Sequence, residues 1–130
     1  MNGFVFELSA DEDVKVSRKR VRPLLTVRCV AKKTEVFVVT RSPASIESTG
    51  KHTIHVAFDG GDEDTQTWEH SVDHDALFAP DGHTLARQIV GARTMSFAFT
   101  PFNSPLAITT FSVAGFNTEV ESAAKKCGWK

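Results

Sequence analysis

The sequence predicts a mainly β fold, an antiparallel β-sandwich or curved sheet with two short packed helices, with α+β as the alternative. Three observations lead there. Apolar residues alternate with polar ones in short runs, as at Phe4, Phe6 and Leu8, at Ile54, Val56 and Phe58, and at Met95, Phe97 and Phe99. Gly, Pro and acidic clusters separate those runs. Helical periodicity is confined to two stretches, Thr84 to Val90 and Thr118 to Cys127. About eight strands are expected, and the helices would cover an open face or end of the sheet.

Taken in order, Gly3 to Leu8 reads as a first strand that ends in the acidic turn Asp11 to Asp13. Lys15 to Arg22 mixes Val16 and Val21 with Arg18, Lys19, Arg20 and Arg22 and reads as an edge strand or a tether. Its charge is local and has no interleaved aromatics, so a solvated basic face is expected rather than a nucleic-acid patch. After Pro23, the residues Leu25, Val27, Cys29 and Ala31 share one strand face. The β-branched run Glu35 to Thr40 follows as its hairpin partner, dense enough to be covered on both faces. Arg41 to Gly50 is a loop. Lys51 to Asp59 is then a half-buried strand that Gly60 and Gly61 end, and Thr65 to His70 returns as its hairpin partner, with Gln66, Trp68 and His70 on one face.

The stretch Thr65 to Pro101 organises the chain: strand, loop, helix, strand. Leu85, Ala86, Ile89 and Val90 form the apolar face of the helix, opposite Arg87 and Gln88. Asp81 is the expected N-cap, and Gly91 the expected left-handed C-cap. Met95, Phe97 and Phe99 would point toward that helix. Pro105 to Val113 reads as the returning partner, with Ala107, Thr109, Phe111 and Val113 on one side. In the last segment, Thr118 and Glu121 fit a capping box, and Val120, Ala123, Ala124 and Cys127 make a helical stripe that Gly128 ends.

Composition limits the function classes. At 130 residues and 41% hydrophobic, the chain suits one domain, 1–130, with one core. A net charge of −1 gives no electrostatic reason to expect nucleic acid or an anionic membrane as partner. Ten Phe and no Tyr favour core packing over amphipathic binding anchors. No apolar run approaches a membrane span, so membrane insertion is not expected, and MNGFVFELSADEDV does not resemble a signal peptide. The expectation is either a cytosolic protein or a fragment whose export signal has been removed.

Cys29 and Cys127 both fall on predicted core faces. Two readings stand: a disulfide in an oxidising compartment, or two buried thiols in a reducing one. Without Cys-X-X-Cys spacing or a close His pair, neither redox catalysis nor zinc is expected.

The order LLTVRC, TEVFVV, TIHVAFDGG, TWEHSVDHDALFAP, LARQIVGARTMSFAFTPF, FSVAGF and a terminal helix ending in CGW resembles the VasI or TagO family of type VI secretion accessory proteins and related bacterial envelope domains. The resemblance spans residues 24–129, leaving 1–22 as an N-terminal strand and basic edge segment. It implies a small exported domain of the periplasm in which Cys29 and Cys127 form a structural pair. It supplies no catalytic residue and no cofactor.

Two polar clusters stand apart from the packing residues. Asp59, Asp62, Glu63 and Asp64 lie around two glycines, a set of oxygen ligands chemically suited to Ca²⁺, but the spacing is not that of an EF-hand and a solvated hairpin loop is the expected reading. His70, Asp73, His74 and Asp75, with Ser71 and His83 nearby, could bind a metal or run acid/base chemistry, but no nucleophile elbow or oxyanion hole accompanies them. Trp68 and Trp129 could stack on a ligand or pack in the core, and Arg87 and Arg93 could hold an anion or solvate the helix ends. The leading expectation is a non-catalytic binding or assembly domain of the bacterial cell envelope, without cofactor and with a protein partner there. The alternatives are a hydrolase using His70, Asp73, His74 and Asp75, and a structural C-terminal module of a larger exported protein.

Overall fold

A computed structural model describes residues 3–16, 19–30, 33–40, 51–70, 76–101 and 104–114. The loop expected at 41–50, the residues Ser71, Asp73, His74 and Asp75, the terminal helix Thr118 to Cys127 and Trp129 lie outside them.

The described chain is mostly β, with one helix. Its strands are β1 (Gly3–Ser9), β2 (Val14–Val16), β3 (Lys19–Val21), β4 (Leu24–Val30), β5 (Lys33–Val39), β6 (Lys51–Phe58), β7 (Asp64–His70), β8 (Ala76–Phe78), β9 (Thr94–Phe99) and β10 (Ala107–Ser112), with helix α1 (Gly82–Val90) between β8 and β9. Eight strands make one sheet in the order β1-β4-β5-β8-β7-β6-β9-β10, antiparallel throughout, and β2 and β3 form a separate ribbon. The expected pairs β4 with β5, β6 with β7 and β9 with β10 all form.

Register divides the sheet into two faces, because directly opposed residues share a side. One row runs Leu8, Leu25, Val38, Leu77, His70 across five strands and faces inward. The alternate row runs Glu7, Thr26, Phe37, Phe78, Glu69, Lys51 on the opposite face, where Thr26 is buried and the others are exposed or half-buried. Inward residues from every strand of the sheet except β1 make the buried cluster, in which Leu25, Val36, Val38, Ile54, Trp68, Ile89, Met95, Phe97, Phe99 and Phe111 are inaccessible to water. Phe6 and Leu8 of β1 pack against its margin.

Four local readings differ from expectation. Lys15 to Arg22 is neither a tether nor a strand of the sheet: its ends form the β2–β3 ribbon, with Val14 and Val16 buried and Lys19 and Arg20 exposed. The strand β8 was not expected, being three residues long, too short for a period to show, and held by pairing with β5 on one side and β7 on the other. Its presence carries α1 onto β5. Met95, Phe97 and Phe99 therefore share one core with Leu85, Ala86 and Ile89, while the strand directly beneath the helix is β5. Gly91, finally, caps α1 at φ −88°, an ordinary right-handed conformation, and its N–H donates to the Arg87 carbonyl at 3.3 Å.

Asp81 is the N-cap, as expected. Its carboxylate accepts from the Thr84 N–H at 3.1 Å and from the Thr84 hydroxyl at 2.8 Å, and these bonds hold its pKa below the ordinary 3.8. The next residue, Gly82, sets how close the helix can lie. A Cβ there would stand 2.5 Å from the Thr34 carbonyl oxygen and 3.0 Å from Glu35 Cα, both backbone atoms of β5. Gly82→Ala is expected to lift the first turn of α1 off β5 and to destabilise the fold by about 1–3 kcal/mol, the usual cost of overpacking. Urea denaturation checks it; a gain in stability from the better helix former would refute the close approach.

The N-terminal segment also reaches the far edge of the sheet. Asp11 N–H donates to the Thr110 carbonyl at 2.8 Å, Thr109 Oγ1 donates to the Glu12 carbonyl at 3.4 Å, and Ser112 Oγ donates to the Asp11 carboxylate at 2.8 Å. The chain leaving β1 at one edge thus bonds to β10 at the other.

Candidate functional site

The polar residues on the inward side of β6 and β7 gather at one place. His52 is opposite Trp68 in the register, so His70, two residues further along β7, lies diagonally beside it on the same face. The imidazoles meet with His52 Nε2 3.0 Å from His70 Nδ1 and their rings edge to face at 5.2 Å. His52 is 3% exposed, whereas His70 is half-buried. Trp68, fully buried between them in sequence, packs on Phe97 at 5.2 Å. Its indole N–H donates to Gln66 Oε1 at 2.8 Å, and Gln66 Nε2 donates in turn to Asp64 Oδ2 at 2.8 Å, so one inward row of β7 carries a polar chain from the strand end to the core.

At the other end of the β6–β7 hairpin, the acidic loop is put to structural use. Asp59 turns the chain at φ +55° and Gly60 follows at φ +72°, both in the left-handed region. Asp59 Oδ1 accepts from the N–H groups of Arg93 at 2.8 Å and Thr94 at 3.0 Å, pinning the hairpin to the start of β9. Those two bonds, Thr94's first, hold the carboxyl below its ordinary 3.8. Asp64 is engaged by Gln66, Glu63 pairs with His55 at 3.0 Å, and Asp62 is exposed. Asp59 and Asp64 thus have structural partners in and beside the hairpin. Among the described residues, no group of three or more His, Cys, Asp or Glu side chains is arranged to hold a metal.

The pH dependence of Asp59 has a definite sign. A carboxyl whose folded pKa is depressed contributes stability that is whole above its unfolded value and is lost as pH falls through the folded one. Asn tolerates the left-handed conformation and keeps an oxygen acceptor without the charge. Asp59→Asn is thus expected to lower the melting temperature near neutrality, with the gap from wild type closing as pH falls below 3.8. A gap that stays constant through the acid range would show that the charge is irrelevant.

The remaining candidates separate. Trp68 is a core residue, with no surface for a ligand to stack on. Arg87 is exposed on the last turn of α1, and Arg93 is exposed, with its backbone N–H bound to Asp59 and its carbonyl accepting from Val113. No family model, curated protein or solved structure matches this chain. Among the described residues, no helix is long and apolar enough to cross a membrane.

Cys29 is 1% exposed on the inward face of β4 and does not carry a free thiol. Cys127 lies outside the described residues. On the outward face, Arg28 bonds Glu35 and lies over the Phe37 ring at 5.3 Å, and Phe37 stacks on Phe78 at 4.5 Å. Exposed aliphatics flank this patch at the sheet edges, with Val5 54% and Val30 40% exposed on one side and Leu106 50% and Ile108 65% on the other.

His52 was missed in the sequence. The signal was present, since His52 falls on the buried parity of Ile54 and Val56, but a histidine on an apolar face also reads as the frayed end of a strand.

Proposed function

We propose that this chain is a non-catalytic binding or assembly domain of the bacterial cell envelope, of the kind the resemblance to type VI secretion accessory proteins implies. What supports it is Cys29, which is buried and not a free thiol, since disulfides persist in oxidising compartments. Cys127 is its partner in this reading, closing most of the chain into one loop. The proposed binding surface is the outward face, where Val5 on β1 and Val30 at the end of β4 stand exposed beside the Arg28 and Phe37 pair, since clustered exposed aliphatics favour association with another chain. For the fold, the curved-sheet alternative is preferred to a sandwich and approaches a closed barrel. What supports it is the set of bonds from Asp11 and Glu12 to β10.

The test is fractionation of the producing cell with rapid alkylation of thiols before lysis. Periplasmic protein whose cysteines resist alkylation until reduced is the expected result. Cytosolic protein with both cysteines alkylated would overturn the proposal.

A further inference from the structure

We infer that the free edge of β1 pairs with the same edge of a second copy of this chain, antiparallel about a two-fold axis at Val5, so that one sheet runs through both molecules. The backbone decides which groups are on offer. In an antiparallel pair, residues that exchange hydrogen bonds with the neighbouring strand alternate with residues whose N–H and C=O point away from it. Ala10 N–H donates to the Pro23 carbonyl at 2.9 Å, and these two residues continue the β1–β4 register. Phe4, Phe6 and Leu8 therefore bond β4, while Gly3, Val5, Glu7 and Ser9 point their backbone groups away, as Asp11 does in donating to the Thr110 carbonyl. This edge is occupied at Asp11 and empty before it. The strand β10 ends at Ser112, Val113 N–H donates back to the Arg93 carbonyl, and among the described residues no backbone bond reaches Gly3, Val5, Glu7 or Ser9 from that side.

An open edge is a template for another strand, and folded proteins usually blunt it with Pro, Lys, a bulge or a very short strand. The strand β1 has none of these: its seven residues pair with β4 in unbroken register, and Val5, Glu7 and Ser9 on its outward face are all exposed. The edge also fits itself. An antiparallel copy centred on Val5 sets the two Val5 side chains together, and Val30, which flanks Gly3 on β4, joins them from each side, so the exposed valines cover one another. Glu7 then stands opposite the second copy's Gly3, in a row that leads through its Val30 to its Lys33, so each carboxylate is aligned with a lysine. The neighbouring registers lack this match. Centred on Phe6, the copy would set each Val5 against a carboxylate, and centred on Glu7 it would oppose two carboxylates directly, which is destabilising. About six backbone hydrogen bonds complete the joint.

The inference gives the proposed binding surface an occupant and rests on that surface, not on the cell compartment, so it fails or stands separately from the fractionation result. The experiment is analytical ultracentrifugation of the purified full chain across a dilution series, together with oxidative cross-linking of single-cysteine additions. Wild type is expected to pass from monomer to dimer as concentration rises. Val5→Pro should weaken dimerisation by about tenfold or more, with circular dichroism and melting temperature close to wild type, because the Val5 N–H serves only the free edge and β1 keeps its bonds to β4. Val5→Cys should give a disulfide-linked dimer under mild oxidation, since opposed Cα atoms in a hydrogen-bonded pair stand about 5.5 Å apart, within disulfide reach. Glu7→Cys, whose counterpart lies about four residues away along the paired strand, should give none, as should wild type. A wild type that stays monomeric at every concentration would overturn the inference and leave the edge to a different protein. Dimers untouched by Val5→Pro, or covalent dimers from Glu7→Cys in place of Val5→Cys, would overturn it equally.

Discussion

Reduction of the protein is expected to lower its unfolding free energy by about 4–5 kcal/mol, the value the chain-entropy model assigns to opening an unstrained loop of roughly a hundred residues. In the proposed pairing the loop would run from Cys29 on β4 to Cys127, and its closure would constrain the unfolded chain far more than the folded one. The effect is comparable with the whole stability of a marginal domain, on the order of 5–15 kcal/mol. Guanidinium unfolding with and without reductant measures it, with Cys127→Ser as the companion variant because that substitution leaves the packed β4 position untouched. Coincident unfolding curves for oxidised and reduced protein would remove the bridge from the account and, with it, the main support for an envelope location.

The second large effect is expected at Trp68. Its side chain is inaccessible to water, packs on Phe97 and bonds through the indole nitrogen to Gln66, so Trp68→Ala removes apolar burial, leaves a cavity beneath β6 and β9, and strands the Gln66 carbonyl. The loss should be about 3–5 kcal/mol. Trp68→Phe keeps an aromatic ring against Phe97 and should lose markedly less, separating packing from the hydrogen bond. Chemical denaturation of both variants gives the comparison. A Trp68→Ala protein within about 1 kcal/mol of wild type would mean that the indole is not a core residue.

The fold was legible where one face of a strand is apolar and the other wet. Leu25 and Val27, Ile54 and Val56, and Phe97 and Phe99 declare their strands by alternation, and their hairpin partners follow at turn distance. The helix was legible from Asp81 and the Leu85, Ala86 and Ile89 stripe. What escaped reading was decided by distant partners. Ala76 to Phe78 is a strand only because β5 and β7 lie on either side of it. The face of His52 could be read, but its meeting with His70 depends on the register of β6 against β7, which alternation leaves open by any even number of residues. The partners of Asp59 were hidden for a similar reason: the backbone of Arg93 and Thr94 lies more than thirty residues away.

The bonds from Asp11 and Glu12 to β10 bear on the order in which the molecule can be made. They join residues 97 to 101 positions apart, so this N-terminal segment docks only once β10 is in place. Contacts of such separation form late and slowly, because the chain between them has to be ordered first. A nascent chain of this design stays incompletely folded until β10 has emerged.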